Sequence, residues 1–390
     1  MSGPLFLARV IDYVRARRRL WTAAGLLVGS ILVGWDLIVV APGFLAQYAV
    51  RNDFRLDFAA ALVGLRDGYP HLYDPQAQQA AILGLGPGFN VQPFISPPPL
   101  AWLATVLTAL PFQAALVVWT MLLLAALLWT WRLLAPGGGM ARLAHLSLWL
   151  GLFPVAFGLL VGQPGALVAA AVATAWWLIR RDRPLAAGLA LSLLVLKPQL
   201  ALLVPLCLLV AGHRRTFAAW VVASVVIGVA ALALLGVDGV NRYRDMLAQT
   251  QTPAWDITRR YSISGPLGLG PLLNVVEVAV VAVALLAAWR HRNEGPELPI
   301  AAGIAGSLLF SPYLGFQDLL MLVPAAWLVI RAHPTAVQVA LCVAGGALLQ
   351  LAIPVFALPT MVVEACFLLT LVLRGPREFK ASRSSTRSAA

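Results

Sequence analysis

Two aspartates four residues apart carry the first hint of chemistry in this sequence. Asp53 and Asp57 lie in Asn52-Asp53-Phe54-Arg55-Leu56-Asp57-Phe58. If that stretch is helical, the i, i+4 spacing sets both carboxylates on one face. A carboxylate partly withdrawn from water has a raised pKa and becomes a better general base. The plainer alternative is a solvated loop in which Arg51 and Arg55 pair with the two acids.

Lys197 is the sharpest cation. Only two of the 28 basic residues are lysines, Lys197 and Lys380. Lys197 sits in the run LSLLVLKPQLALLV, where Pro198 breaks the helix. A Lys197-Pro198-Gln199 tip between two short apolar stretches lies below the surface of an apolar layer. Irregular backbone at such depth is tolerated where it lines a cavity, and the ammonium there needs an anion. Two anions fit: a ligand phosphate, or a carboxylate in a structural ion pair, for which Asp36 is the candidate. Gly162-Gln163-Pro164-Gly165 repeats the device. Ser311-Pro312-Tyr313 with Gln317-Asp318 is a third polar turn. Each could simply end a helix, but three on one side argue together for a polar cavity.

The elements that position these residues are membrane helices. Of 390 residues, 61% are hydrophobic and 11% charged, and mean hydropathy is +0.85. A soluble domain carries roughly 25% charged residues. A soluble enzyme, a disordered chain and a secreted disulfide module are thereby excluded. Apolar runs of about 20 residues recur along the chain, which predicts an all-α polytopic membrane protein. The short alternating segments of a transmembrane barrel are not seen. The net charge of +12 reads as topology-setting arginine, not as a nucleic-acid surface. Cys207, Cys342 and Cys366 sit in apolar helices and read as core residues. The basic run ahead of the first apolar stretch leads into a segment long enough to span, so no cleavable signal is expected.

Apolar segments fall at 20–42, 112–134, 142–160, 165–179, 184–196, 199–211, 216–236, 272–290, 298–312, 317–331, 335–353 and 355–373. The segment 98–110 makes only ~20 Å of helix against a core of ~30 Å. The expectation is about twelve spans, within eleven to thirteen. Clusters at Arg15 to Arg19, Arg180 to Arg183, Arg214-Arg215, Arg290 to Arg292, Arg331 and the tail orient the chain. Placing them all in the cytoplasm makes both termini cytoplasmic. Residues 43–97 and 237–271 then form two outer loops, read as lids over the cavity. The first holds helix-like stretches at 54–66 and 75–83. Residues 1–374 form one transmembrane unit, and 375–390 a basic cytoplasmic tail with a low-complexity end.

No Walker motif, GxGxxG, HExxH, CxxC or Ser/His/Asp arrangement occurs, and the cytoplasmic loops are too short for a nucleotide-binding domain. Any enzyme here uses a membrane-borne donor. No metal cage and no cofactor are expected.

Five segments, in this order, resemble the polytopic transferases of glycosyltransferase family 87. They are Asp53 to Pro75 (DFRLDFAAALVGLRDGYPHLYDP), Phe94 to Phe112 (FISPPPLAWLATVLTALPF), Val161 to Ala170 (VGQPGALVAA), Arg180 to Leu206 (RRDRPLAAGLALSLLVLKPQLALLVPL) and Ser311 to Leu320 (SPYLGFQDLL). The resemblance spans about residues 20–330. It implies a GT-C-type bundle with a large first outer loop. It also implies transfer of a hexose, most often mannose, from a polyprenyl-phosphate sugar. In the family's pattern an acidic residue opens the first outer loop as the base, and Asp53 takes that place. Gly68 to Asp74, with Tyr73, matches the stretch that follows. Two departures stand out. Asp57 and Phe58 occupy places where the family often has aromatics, making Asp57 a substitute base. Gln163-Pro164 replaces a commoner Gln-x-Asn.

The resulting expectation is an inverting single displacement on the outer face of the plasma membrane. Asp53 or Asp57 takes the proton of an acceptor hydroxyl on a glycan or glycolipid. Lys197, with Arg259 or Arg260, stabilises the leaving phosphate. Tyr73, Gln163, Gln199, Tyr313, Gln317 and Asp318 contact substrate. The partners are membrane lipid, the polyprenyl-phosphate sugar and the acceptor. The rivals are a secondary transporter or lipid flippase, and a non-catalytic envelope-assembly partner. A transporter would show two related halves, which are not apparent.

Overall fold

A computed structural model describes residues 16–42, 47–89, 91–250, 261–264, 269–351 and 357–374. The described residues are 80% helical, and no strand occurs among them. The chain is an all-α membrane protein. Apolar side chains point outward where lipid must lie, as with Leu27 and Ile31 in α1 (Arg18–Trp35), Val225 and Val229 in the helix Arg214–Gln249, and Val275 and Val278 in the helix Leu273–Arg290.

The segment after α1 is helical at both stretches where the pattern predicts it. Helix α2 is Phe54–Arg66 and α3 is Pro75–Leu83. The Asp74 side chain accepts from the backbone N–H groups of Gln76 and Ala77 and starts α3, with Pro75 at its first position. Helix α4 (Pro98–Thr105) packs on α2, followed by a 3-10 turn, Val106–Ala109.

The bundle continues with α5 (Phe112–Leu134), α6 (Met140–Leu150), α7 (Phe153–Val161), α8 (Gly165–Ile179) and α9 (Pro184–Leu191). Then come α10 (Leu203–Val210), α11 (Arg214–Gln249), α12 (Leu273–Arg290), α13 (Glu297–Phe310), α14 (Leu322–Arg331), α15 (Ala336–Leu351) and α16 (Ala357–Leu373). Small residues let neighbours touch. A Cβ on Gly303 of α13 would stand 2.6 Å from the Val204 Cα of α10.

Three expected segments differ. The stretch 142–160 is two helices bent by 59°, because Leu152 is extended and Pro154 begins a new turn. Helices around the polar tips are cut short. Ser192–Leu196, Pro198–Leu200 and Phe316–Met321 are 3-10 turns in place of α-helix. The expected loop 237–271 starts as helix, since α11 runs on past a non-helical Gly236 to Gln249. Its Leu235, Gly239 and Met246 are buried at helical spacing. There Tyr243 stacks on Tyr73 at 4.3 Å, and Arg242 donates to the Pro70 carbonyl at 2.9 Å.

Among the described residues four helices are long and apolar enough to cross a membrane alone, or five if the bent pair counts as one. The shorter apolar helices include α8, α13, α15 and α16. Arginines gather at one end of the bundle. Arg331 donates to the Leu134 and Ala135 carbonyls at 2.6 and 2.9 Å and lies over the Trp176 ring. Arg180 reaches Glu297 at 3.8 Å, and Arg374 reaches Glu294 at 3.7 Å. The polar tips lie at the other end of the same helices.

Candidate functional site

The site is assembled where Asn52 and Asp53 meet the end of α7. Asn52 Oδ1 accepts from the Phe54 N–H at 3.0 Å and so caps α2, while its Nδ2 donates to the Leu160 carbonyl at 3.0 Å. The Asp53 N–H donates to the Val161 carbonyl at 2.8 Å. Gly162 ends α7 in the left-handed region, at φ 70°. A Cβ there would stand 2.1 Å from Asn52 Oδ1. Trp119 Nε1 donates to the Gly162 carbonyl at 2.8 Å, and Phe54 stacks on the Trp119 ring at 4.9 Å. The acidic segment is thus fastened to the Gly162-Gln163 turn.

From Asp53 a chain of polar contacts runs into the bundle. Gln163 Nε2 donates to Asp53 Oδ2 at 2.5 Å. Lys197 Nζ donates to Gln163 Oε1 at 2.8 Å and to Asp318 Oδ1 at 2.5 Å. Asp318 Oδ2 accepts from the Gly315 N–H at 3.0 Å. The Lys197 side chain is 7% exposed, Asp318 fully buried, and Asp53 31% exposed. The expected polar tips at 163, 197 and 318 therefore meet.

The pairing alternative for Lys197 needs correcting. Its carboxylate is Asp318 of the third tip, not Asp36. Asp36 lies in the π-helical turn Asp36–Val40 that continues α1, and its carboxyl oxygens have no partner among the described residues. The helix break at Pro198 aims Lys197 inward across the bundle, toward the turn before α14.

Burial dominates the electrostatics of the acidic pair. Withdrawal from water raises the Asp53 carboxyl above its ordinary value, although Gln163, Arg55 and Lys197 all pull it down. Asp53 is not sealed, so it is a desolvated carboxylate that a ligand can reach. Asp57 is pushed up much further by complete burial and by the negative charge of Asp53. Arg55, 1% exposed, donates to the Asn52 carbonyl at 2.8 Å and to Gln92 Oε1 at 2.9 Å, with a longer 3.4 Å contact to Asp53 Oδ1.

The other expected residues divide. Tyr313 is drawn to the site: its phenol is raised by burial, then by the charges of Asp318 and Asp53. Gln199 and Gln317 are partly buried beside the tips, and their amides have no partner among the described residues. Tyr73 is fully buried, stacked between Phe94 and Tyr243, and donates to the Ser96 carbonyl at 2.7 Å. That environment is scaffold, with no surface left for substrate. Arg259 and Arg260 lie outside the described residues. Among the described residues no three His, Cys, Asp or Glu side chains cluster as metal ligands would.

Sequence reasoning overlooked the parts that hold the site. Asn52, two residues before the first residue of α2, has a side chain of the helix-capping kind, a signal that was available. The tie from Trp119 to Gly162 spans 43 positions and has no local signature.

Fold and site together define a helical membrane protein holding a partly exposed aspartate against a buried ion pair at one end of its bundle. The chain matches the model of glycosyltransferase family 87 over residues 94–312, more than half its length, and belongs to that family. It is therefore a membrane glycosyltransferase. The match contains Gln163, Lys197 and Gln199, begins after Asp53 and ends just before Tyr313. No curated protein and no solved structure matches the chain.

Proposed function

We propose that the protein transfers a hexose, mannose being the first choice, from a polyprenyl-phosphate sugar to an acceptor hydroxyl, with inversion. Asp53 takes the hydroxyl proton. The acceptor oxygen forms its bond to the anomeric carbon as the bond to the phosphate oxygen breaks on the opposite face. Polyprenyl phosphate leaves with the electron pair. It is a weak base and needs charge stabilisation more than a proton. Lys197 has three N–H donors, and Asp318 and Gln163 take two of them. The third is assigned to the donor phosphate, with Arg259 and Arg260 of the second outer loop assisting. Gln199, Gln317 and the Tyr313 hydroxyl are the free polar groups suited to sugar hydroxyls.

The observation that carries this reading is the position of Asp53. It is a carboxylate in desolvating surroundings, still partly open, with a cation two contacts away. A general base and a phosphate-neutralising cation at that spacing suit displacement at a sugar carbon. Helix ends that alternate between the arginine end and the site end support twelve crossings. With the arginines cytoplasmic, the site faces outward at the plasma membrane. Helix α8 separates the two ends by only ~22 Å, so the site is recessed below the far surface of a ~30 Å core.

Membranes carrying the protein should move radiolabel from polyprenyl-phosphate mannose, or another polyprenyl-phosphate hexose, to lipid or glycan acceptors. They should move none from nucleotide sugars. Label carried across the membrane without a new glycosidic bond would favour the transporter reading instead.

A further inference from the structure

We infer that Gln163 is a positioning residue: its amide orients the Asp53 carboxylate, selects which oxygen accepts the proton, and ties the base to the Lys197–Asp318 pair. The inference deepens the reading of Asp53 as the base and rests on it.

The amide can sit only one way round. A carboxylate only accepts and an ammonium only donates. Gln163 must therefore give its N–H to Asp53 and its carbonyl to Lys197, as the 2.5 and 2.8 Å contacts have it. A flipped amide would face Nε2 to Nζ and Oε1 to a carboxylate oxygen, and both contacts would become repulsive. Lys197 is itself held by Asp318, whose second oxygen is held by the Gly315 N–H. The amide is thus oriented from the far side by a fixed pair.

That orientation has a consequence at Asp53. Oδ2 is occupied by Gln163 at 2.5 Å, whereas Oδ1 has, among the described residues, only the 3.4 Å contact from Arg55. Oδ1 is the oxygen left to take the hydroxyl proton. The backbone fixes the partners as firmly as the side chains do. The Asp53 N–H bonds the Val161 carbonyl, two residues before Gln163, and Asn52 bonds the Leu160 carbonyl. Gln163 therefore reaches Asp53 from a segment already fastened beside it. With both amide ends engaged, Gln163 differs from Gln199 and Gln317, and contact with substrate is not its role.

The groups facing Asp53 are Arg55 and Asp57 from its own helix, Lys197 from the break between α9 and α10, and Tyr313 and Asp318 from the turn before α14. Two perturbations of this set have opposite signs. Gln163→Met keeps length and removes the N–H that favours ionised Asp53, so the Asp53 titration moves up, by about one pH unit or more. Asp318→Asn removes a negative charge and leaves Lys197 uncompensated, so the titration moves down. A purely structural role would not drive the two variants in opposite directions.

The test is carboxyl-carbon NMR of the full-length protein in detergent, with labelled aspartate and with Asp53→Asn assigning the Asp53 signal. The expected result is an upward midpoint shift in Gln163→Met and a downward shift in Asp318→Asn. The acid limb of the transfer rate should follow each shift. An unmoved midpoint in folded Gln163→Met overturns the inference. If that variant does not fold, an unmoved or raised midpoint in Asp318→Asn overturns it. The two readings fail separately. Shifts of the expected sign in a protein that transfers no hexose would refute the proposed function and leave the positioning role standing. Transfer that needs Asp53, with midpoints that ignore Gln163 and Asp318, would do the reverse.

Discussion

Gly162→Ala is the sharpest structural perturbation, because one methyl group meets two separate obstacles. The residue sits at φ 70°, where a Cβ costs roughly 1–2 kcal/mol. That Cβ would also stand 2.1 Å from Asn52 Oδ1 and 2.8 Å from its Cγ and Nδ2. Asn52 cannot move aside without losing its cap on α2, worth about 1 kcal/mol, and stranding the Leu160 carbonyl, another ~1 kcal/mol or more. The expected destabilisation is about 3–4 kcal/mol. The surviving folded protein should have Asp53 displaced, and a misplacement near 1 Å costs on the order of 10²-fold in rate. Gly346→Ala on α15 is the control. Its added methyl meets nothing within 4 Å, and it should be neutral or slightly stabilising. Thermal unfolding in detergent and hexosyl transfer rates read both variants. Gly162→Ala with wild-type stability and wild-type rate would refute the claim that this contact fixes the site.

Lys197→Met strands the buried Asp318 carboxylate, so it should lose about 3–5 kcal/mol and most of the folded yield. Adding Asp318→Asn should restore folding but not transfer, whereas adding Asp36→Asn should restore neither; size-exclusion profiles separate the three. Asp57→Asn should leave transfer within a few-fold of wild type, because burial and the Asp53 charge push that carboxyl well above its ordinary range and disfavour its ionised, basic form; a loss larger than that of Asp53→Asn would move the base to Asp57. Cysteines placed at Gln76 and Ser385 should differ in intact cells, with an impermeant maleimide labelling the first and sparing the second.

Much of the site was legible because membrane chemistry makes polar residues conspicuous. Lys197, Gln163 and Asp318 stood out as costly groups beside helix-breaking Pro or Gly, and the structure brings all three together. What sequence could not give was which tip faces which. Asp36 and Asp318 are both lone acids near apolar segments, and only the packing of α8, α10 and the turn before α14 selects Asp318. Tyr73 is a related case: an aromatic in a loop has the same composition whether it faces a ligand or, as here, stacks on Tyr243. Helix α11 runs on beyond its apolar stretch, because the part after Gly236 is polar on one side and finds its contacts on residues 69–71, far off in sequence. The short first-loop helices were placed correctly, since Asp74-Pro75 marks a helix start by local chemistry alone.

The central claim is that Asp53 is the base of a hexosyl transfer. The direct measurement is single-turnover transfer from polyprenyl-phosphate hexose, by wild type and by Asp53→Asn, across pH with donor binding measured in parallel. The wild-type rate should rise through an acid limb above the ordinary carboxylate range, because burial raises Asp53 and the base works only when ionised. Asp53→Asn should bind donor normally, lose about 10²–10⁴-fold in rate and lose that limb. A folded Asp53→Asn that binds donor and transfers at the wild-type rate, with the acid limb in place, would contradict the account.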